Sequence, residues 1–295
     1  MKKKMSGLFA IMLVLSFVFS FAACGKKDET KTTAPGETTA TQDTTAPELT
    51  TVEGETTALE ETTVADETTA VDETTTVLAG TAVPSTATEI VAYYNTAANK
   101  VKPQAKSIVQ NYEKNRPIGD VEVGNNKTLA SIGTRLVNAN MGDIKDKKGV
   151  VSTSQADKNA NFPVEGQIWT SKLTPAMVNS AKCVESNGQY IITIILKDEP
   201  APNPSAGNGY AGNAFSVISK EKIVDGAGSA MTLARIKEDS IKIIYTDCKI
   251  VAKIDPVTGN MVYANYDMPL RLYITALGID VSVGFAVEKD FTITW

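Results

Sequence analysis

The clearest pattern of hydrophobic and polar positions lies at the C-terminus. Ile279, Val281, Val283, Phe285 and Val287 alternate with polar or small residues, and Phe291, Ile293 and Trp295 continue the series. A period of two predicts a strand packed on one face. Met261–Leu277 precedes it, with Pro269 placing a kink or edge position inside the strand and Gly278 marking the reversal. Ile241–Ile254 reads as one strand that ends at the turn Asp255-Pro256-Val257-Thr258-Gly259. Upstream, Ala176–Glu185 and Gln189–Lys197 flank Asn187-Gly188. Asn-Gly between such runs predicts a two-residue hairpin, because both central residues need φ > 0. That turn places Cys183 opposite Ile192, with Tyr190, Ile192, Ile194 and Leu196 on one face beside Ala181 and Cys183.

Helical spacing appears earlier. Ile90, Tyr93, Tyr94, Ala97, Ala98 and Val101 recur at three and four residues. They predict a helix capped by Ser85 or Thr88 and closed by Pro103. Leu129, Ile132, Leu136 and Val137 predict a second helix over about 127–138. Residues 105–114 fit strand or helix. Residues 142–163 read as a polar loop, and 213–224 as a short helix. The fold class expected is α+β: N-terminal helices packed on a long, curved antiparallel sheet. Such a half-barrel is similar in style to half-barrel lipoproteins that carry lipids, which implies an apolar cavity.

The first third does not take part in these patterns. Residues 25–88 are rich in Thr, Glu and Ala, and Glu55-Thr-Thr-Ala, Glu61-Thr-Thr-Val, Glu67-Thr-Thr-Ala and Glu73-Thr-Thr-Thr recur every six residues. That period matches no helix face, and Thr resists helix through its restricted χ1. Too little apolar surface is present to offset the entropy of ordering. The segment is expected to be a disordered stalk. As a coil of about 60 residues it spans roughly 40–45 Å, and fully extended ~190 Å.

Charge follows the same division. The chain carries −5 overall. Residues 1–88 hold six Lys against 13 Asp and Glu, while the remainder holds 23 basic and 21 acidic side chains. The acidity belongs to the stalk, and the domain shows no basic stripe for nucleic acid. There is no His. This removes the commonest general base and metal ligand, and with them any Ser-His or Cys-His mechanism.

The N-terminus carries Lys2, Lys3 and Lys4 and then an apolar run from Leu8 to Phe21. Fourteen helical residues rise ~21 Å, short of a ~30 Å hydrocarbon core, so the run suits a signal peptide. Phe21-Ala22-Ala23-Cys24-Gly25 follows. It resembles the lipobox of bacterial lipoproteins. The resemblance implies cleavage after residue 23, a diacylglycerol thioether on Cys24, and a palmitate-type membrane anchor on the extracytoplasmic face. Two acyl chains hold a protein stably. The expected organisation is a signal peptide over 1–23, a stalk over 24–88 and one α+β domain over 89–295. A stalk of this length suits a thick-walled bacterium with a single membrane.

Chemistry within the domain is sparse. Gly207-Asn208-Gly209-Tyr210-Ala211-Gly212 fits G-x-G-x-x-G, but Pro200, Pro202 and Pro204 separate it from the preceding strand, so a loop is expected rather than a nucleotide site. Cys183 and Cys248 form a candidate disulfide in an exported protein, or else two buried small hydrophobes. Trp169, Tyr93, Tyr94 and Tyr210 are candidates for stacking on sugars. Asp143, Asp146 and Asp157 sit among Lys145, Lys147 and Lys148, which reads as mixed surface charge. Asn126-Lys127-Thr128 fits a glycosylation triplet that a bacterium leaves idle. No cofactor or metal set is expected. The reading is a non-enzymatic binding module for a lipid, a small ligand or a cell-wall component. The alternative is a hydrolase with an Asp/Glu or Ser/Lys site.

Overall fold

The computed structural model describes residues 83–141 and 149–295. The signal peptide, Cys24, most of the stalk, and Asp143 and Asp146 lie outside the described residues. Helix α1 spans Ala87–Gln104. Its cap is Thr86, whose side chain accepts from the Glu89 N–H while the Glu89 carboxylate accepts from the Thr86 N–H. This capping box starts the helix two residues before the expected domain boundary at 89. Pro103 sits in the last turn.

Among the described residues nine strands follow: β1 (Ser107–Pro117), β2 (Glu122–Val123), β3 (Val150–Ser152), β4 (Val178–Ser186), β5 (Gln189–Leu196), β6 (Lys242–Tyr245), β7 (Lys249–Ile254), β8 (Met261–Ala276) and β9 (Ile279–Thr294). They form one open antiparallel sheet in the order β3-β1-β9-β8-β7-β5-β4, with β2 on β9 and β6 on β8. The helices besides α1 are α2 (Lys127–Met141), α3 (Gln155–Asn161), α4 (Lys220–Ala227) and α5 (Ser229–Leu233). The expected α+β class holds, as does the Asn187-Gly188 hairpin with Cys183 opposite Ile192. Asn187 and Gly188 have φ of 51° and 69°.

Three expectations are corrected. Residues 142–163 are not all loop, because β3 pairs with β1 and α3 is capped by Ser154. Ile241–Ile254 is two strands, broken where Asp247 takes a φ of 51°. Strand β9 is buried on both faces from Val281 to Val287 rather than on one.

The break between β6 and β7 explains Pro269. Within a strand a residue's N–H and C=O point to the same side. The Pro269 carbonyl accepts from Thr246 N–H at 3.1 Å, so its missing N–H faces the gap between β6 and β7. A proline survives inside a paired strand because no ladder bond was due there.

One sheet face is covered. Ile192, Ile194, Ile250, Ala252, Ala264 and Tyr266 pack under Ile90, Tyr94, Ala98 and Val101 of α1 in the main hydrophobic core. The Tyr94 and Tyr266 hydroxyls meet at 3.2 Å. Phe162, Phe215, Tyr266 and Phe291 contact edge-to-face at centroid distances of 5.0–6.1 Å. The side on which a lipid cavity was expected is thus filled here by aromatic rings.

A polar ridge on α1 straps the 162–173 segment to this face. Asn95, Asn99 and Lys102 follow i, i+4, i+7 and point one way. The Asn95 amide donates to the Leu173 carbonyl and that of Asn99 to the Ser171 carbonyl, each at 2.8 Å. Lys102 Nζ donates to three carbonyls of the strap. From the other side Lys289, on the covered face of β9, pairs with Glu165 of the strap and with Glu113. Burial opposes the Lys289 charge, but these two carboxylates lift its pKa above the ordinary value.

Candidate functional site

Beyond the doubly buried stretch of β9, the other face of β1, β9 and β8 is only partly covered, with Tyr112, Tyr263, Asp267 and Glu288 half-buried and Lys114 and Thr292 exposed. Cross-strand register places Tyr112 opposite Asp290, and Asp290 opposite Asn265. Tyr263 and Thr292 form the row above; Asp267, Glu288 and Lys114 form the row below. A bulge between Gln110 and Tyr112 turns Tyr112 onto this face and inserts Asn111 beside it.

Hydrogen bonds join these residues into one array. Asn265 Nδ2 donates to Glu288 Oε1 at 3.0 Å and to Asp290 Oδ2 at 3.2 Å. The Tyr112 hydroxyl donates to Glu288 Oε1 at 2.8 Å. The Tyr263 hydroxyl donates to Asp290 Oδ2 at 2.5 Å, and Asn111 Nδ2 to Asp290 Oδ1 at 2.7 Å. Asp290 is only 6% exposed and Asn265 8%. The side chains that donate to Asp290, Asn111, Tyr263 and Asn265, are all neutral, which is unusual for a carboxylate so nearly buried. Burial, together with the bonded carboxylates, pushes both phenols above their ordinary pKa. They therefore stay protonated and act as fixed donors, with lone pairs still able to accept. Cations rim the array: Lys114 lies 4.1 Å from the Tyr112 ring centre, Lys253 lies 5.0 Å from that of Tyr263, and Arg116 pairs with Asp267 at 2.7 Å.

This arrangement offers a ligand oriented acceptors, phenolic oxygens and two partly exposed rings. It does not offer a nucleophile beside a base. Among the described residues no three His, Cys, Asp or Glu side chains gather as a metal set, and no helix is long and apolar enough to cross a membrane.

The residues singled out in the sequence lie elsewhere. Cys183 and Cys248 are both free thiols, so the candidate disulfide is not formed. Cys183 lies in β4 and Cys248 immediately before β7, with β5 between them. Two strand spacings amount to ~10 Å, beyond the ~7 Å that a disulfide spans. Cys248 is a buried hydrophobe whose pKa burial raises, while Cys183 is half-buried. Tyr94 is core, Tyr93 tilts against Tyr190 at 5.8 Å, and Trp169 has Lys172 over its ring at 4.3 Å with the Gly207 position 3.7 Å from its edge. The four aromatics do not assemble into a platform. Asp157 sits in the first turn of α3, its N–H capped by Ser154, and Asn126 Oδ1 accepts from the Leu129 N–H at the start of α2.

The G-x-G-x-x-G loop does form an amide cradle, but the chain fills it. Glu199 Oε1 accepts from the Ala211 N–H at 2.5 Å, and the Tyr210 backbone N–H donates to the same carboxylate. A Cβ on Gly212 would meet the Ser205 carbonyl oxygen at 1.9 Å, so only glycine allows the approach. The anion held by these amides is internal.

Comparison with family models, with curated proteins and with solved structures returns no match.

Proposed function

We propose that this chain is an extracytoplasmic lipoprotein whose domain binds a cell-wall saccharide on the open face around Asn265 and Asp290. Cys24 carries the membrane anchor in this reading, and the Thr/Glu-rich stalk carries the domain outward. The observation that supports it is the array itself. Carboxylates on a solvated strand face normally point freely into water. Here Glu288 and Asp290 are pinned by amide and phenol donors, so their remaining lone pairs have fixed directions. Sugar hydroxyls suit such acceptors, and the rings of Tyr112 and Tyr263 supply apolar surface for the faces of a pyranose. A lipid is disfavoured, since aromatic side chains occupy the covered face.

The rival reading is a glycoside hydrolase. Glu288 Oε1 and Asp290 Oδ2 accept from one amide nitrogen at 3.0 and 3.2 Å, which limits their separation to about 6 Å, a range that includes the ~5–5.5 Å of retaining enzymes. An acid–base pair must exchange protons with its substrate, whereas these oxygens already accept from Tyr112, Tyr263 and the asparagines, on a face open to water.

The test uses the mature chain made soluble by Cys24→Ser, mixed with insoluble wall sacculi and sedimented. Binding is expected, and the triple variant Tyr112→Ala, Asn265→Ala, Tyr263→Ala should lower the affinity at least tenfold. Unchanged sedimentation of the triple variant, with its fold verified by circular dichroism, overturns the saccharide site. Release of new reducing ends from the sacculi would support the hydrolase instead. Anchoring is tested separately: wild-type protein should partition with membranes and Cys24→Ser should not.

A further inference from the structure

The open face has a second compartment. The chain between β1 and β2 crosses the face at Gly284, where a Cβ would stand 2.3 Å from the Ile118 carbonyl oxygen. Arg271 reaches over this crossing to the Asp120 carbonyl at 2.8 Å. Beyond it, Lys242, Tyr273, Ser282 and Glu122 form one cross-strand row over β6, β8, β9 and β2, and Thr275 with Asp280 forms the next. Together with Asp239 of the turn before β6 they bound a cavity of about 500 Å³. That size falls within the range of small-molecule sites.

Some of its charges are already engaged. Glu122 takes Arg271 at 3.1 Å and the Ser282 hydroxyl at 2.7 Å. Asp280 accepts from the Thr275 hydroxyl at 2.7 Å. Asp239 and Lys242 differ. They line the same cavity three residues apart, carry opposite charges, and form no ion pair with each other or with another described residue. Ser240, between them, is tied down by its own bonds to the Lys237 carbonyl and the Thr275 N–H. The turn Glu238–Ser240 and the first residue of β6 thus present an anion and a cation to one space without forming an ion pair.

We propose that this cavity binds a small zwitterion, an amino acid or short peptide with both termini free. Its ammonium group meets Asp239, with Asp280 across the floor, and its carboxylate meets Lys242. The Tyr273 ring is the apolar floor between them. A purely anionic ligand would face Asp239 and Asp280, and a purely cationic one would face Lys242. A ligand bearing both charges satisfies the two sides, and each contact is then a charge-assisted hydrogen bond. The site is separate from the saccharide array and stands or falls without it.

The experiment titrates the Cys24→Ser mature chain with alanine and with dialanine by calorimetry and by chemical-shift mapping. At least one should bind, with a Kd of about a millimolar or tighter, and the shifts should centre on Tyr273 and Lys242. N-acetyl-dialanine and dialanine amide should each bind at least tenfold more weakly. Lys242→Met and Asp239→Asn should lower affinity by a similar factor. Neither residue is buried, and melting curves will verify the fold of each variant. The blocked ligands test the same idea on unaltered protein. No binding by either probe, equal binding of the blocked forms, or full retention in Lys242→Met overturns the proposal.

Discussion

The Tyr263 hydroxyl donates to Asp290 Oδ2 at 2.5 Å across the β8–β9 pair, diagonal to the register that sets Asn265 opposite Asp290. The bond satisfies a nearly buried carboxylate on the side of the sheet that faces water. Tyr263→Phe removes the donor and keeps the ring. Leaving a buried carboxylate short of a partner costs about 1–3 kcal/mol. For a domain of this size each kcal/mol moves the melting point by about 2–4 °C. Calorimetry should therefore show a fall of a few degrees. A melting point equal to wild type would mean that the bond is replaced by water at no cost.

The glycine loop makes a sharper prediction. A Cβ on Gly209 would stand 2.6 Å from Glu199 Oε2 and 2.7 Å from Pro204 Cβ, at a φ of +74°. Gly209→Ala thus combines a steric clash with a strained backbone, and the loss should exceed about 2 kcal/mol. Glu199→Ala should also destabilise, because it strands the Ala211 N–H that now donates to Oε1. Burial raises the Glu199 pKa. Its folded pKa therefore lies above the unfolded one, and the folded state binds the proton more readily. The group's destabilising effect is absent in acid and grows as pH rises through the interval between the two values. Denaturant midpoints at pH 4 and 7 should show a smaller drop across that range in Glu199→Gln than in wild type.

Both thiols should count as free. Under native conditions an alkylating reagent should modify Cys183 first and Cys248 slowly, since Cys248 is 2% exposed and burial raises its pKa. In denaturant two thiols of the domain should react. A reductant should leave the melting curve unchanged. A melting point that falls on reduction would contradict the separation of β4 and β7.

Local features were legible in the sequence and non-local ones were not. Asn187-Gly188 fixes a turn by its own φ requirements, so the β4–β5 register followed from two residues. The β8–β9 turn uses Leu277-Gly278 at φ of 53° and 76°. There only Gly278 signals, and the leucine is held by the long strands on either side. Thr86 outcompetes Ser85 and Thr88 as the cap because only Thr86 has Glu at the third helical position. The array was invisible for a different reason. Asn265, Glu288 and Asp290 look like the ordinary polar face of two strands. Only the pairing of residue 265 with residue 290, and a bulge that turns Tyr112, brings them together. The break at Thr246–Cys248 does leave a trace, a change of phase from buried 241, 243 and 245 to buried 248, 250, 252 and 254, but Ile244 continues the second series upstream and masks it.

The strap on α1 gives a prediction with a defined pH window. Lys102 Nζ donates to the carbonyls of Val164, Gln167 and Trp169 at 2.7, 2.8 and 3.1 Å. The side chain is fully buried. Burial draws its pKa down from 10.5 to about 8, with Glu165 pulling the other way. The folded pKa is thus below the unfolded one. Below about pH 8 both states hold the proton and the cost of burying the charge is present in full. Between about pH 8 and 10.5 the unfolded chain still binds a proton that the folded one has released, so this group makes stability rise with pH, by at most about 3 kcal/mol. Buried Tyr94, Tyr245 and Tyr266 have raised pKa values and act in the opposite sense above about pH 10. The readout is therefore the difference between wild type and Lys102→Met. Met removes the titration and leaves three strap carbonyls without their donor, at about 1–3 kcal/mol for each one that water does not reach. Lys102→Met should melt lower at pH 7, and the gap to wild type should widen between pH 8 and 10. Parallel pH profiles would show that Lys102 keeps its proton across the window, with the three carbonyls compensating its burial.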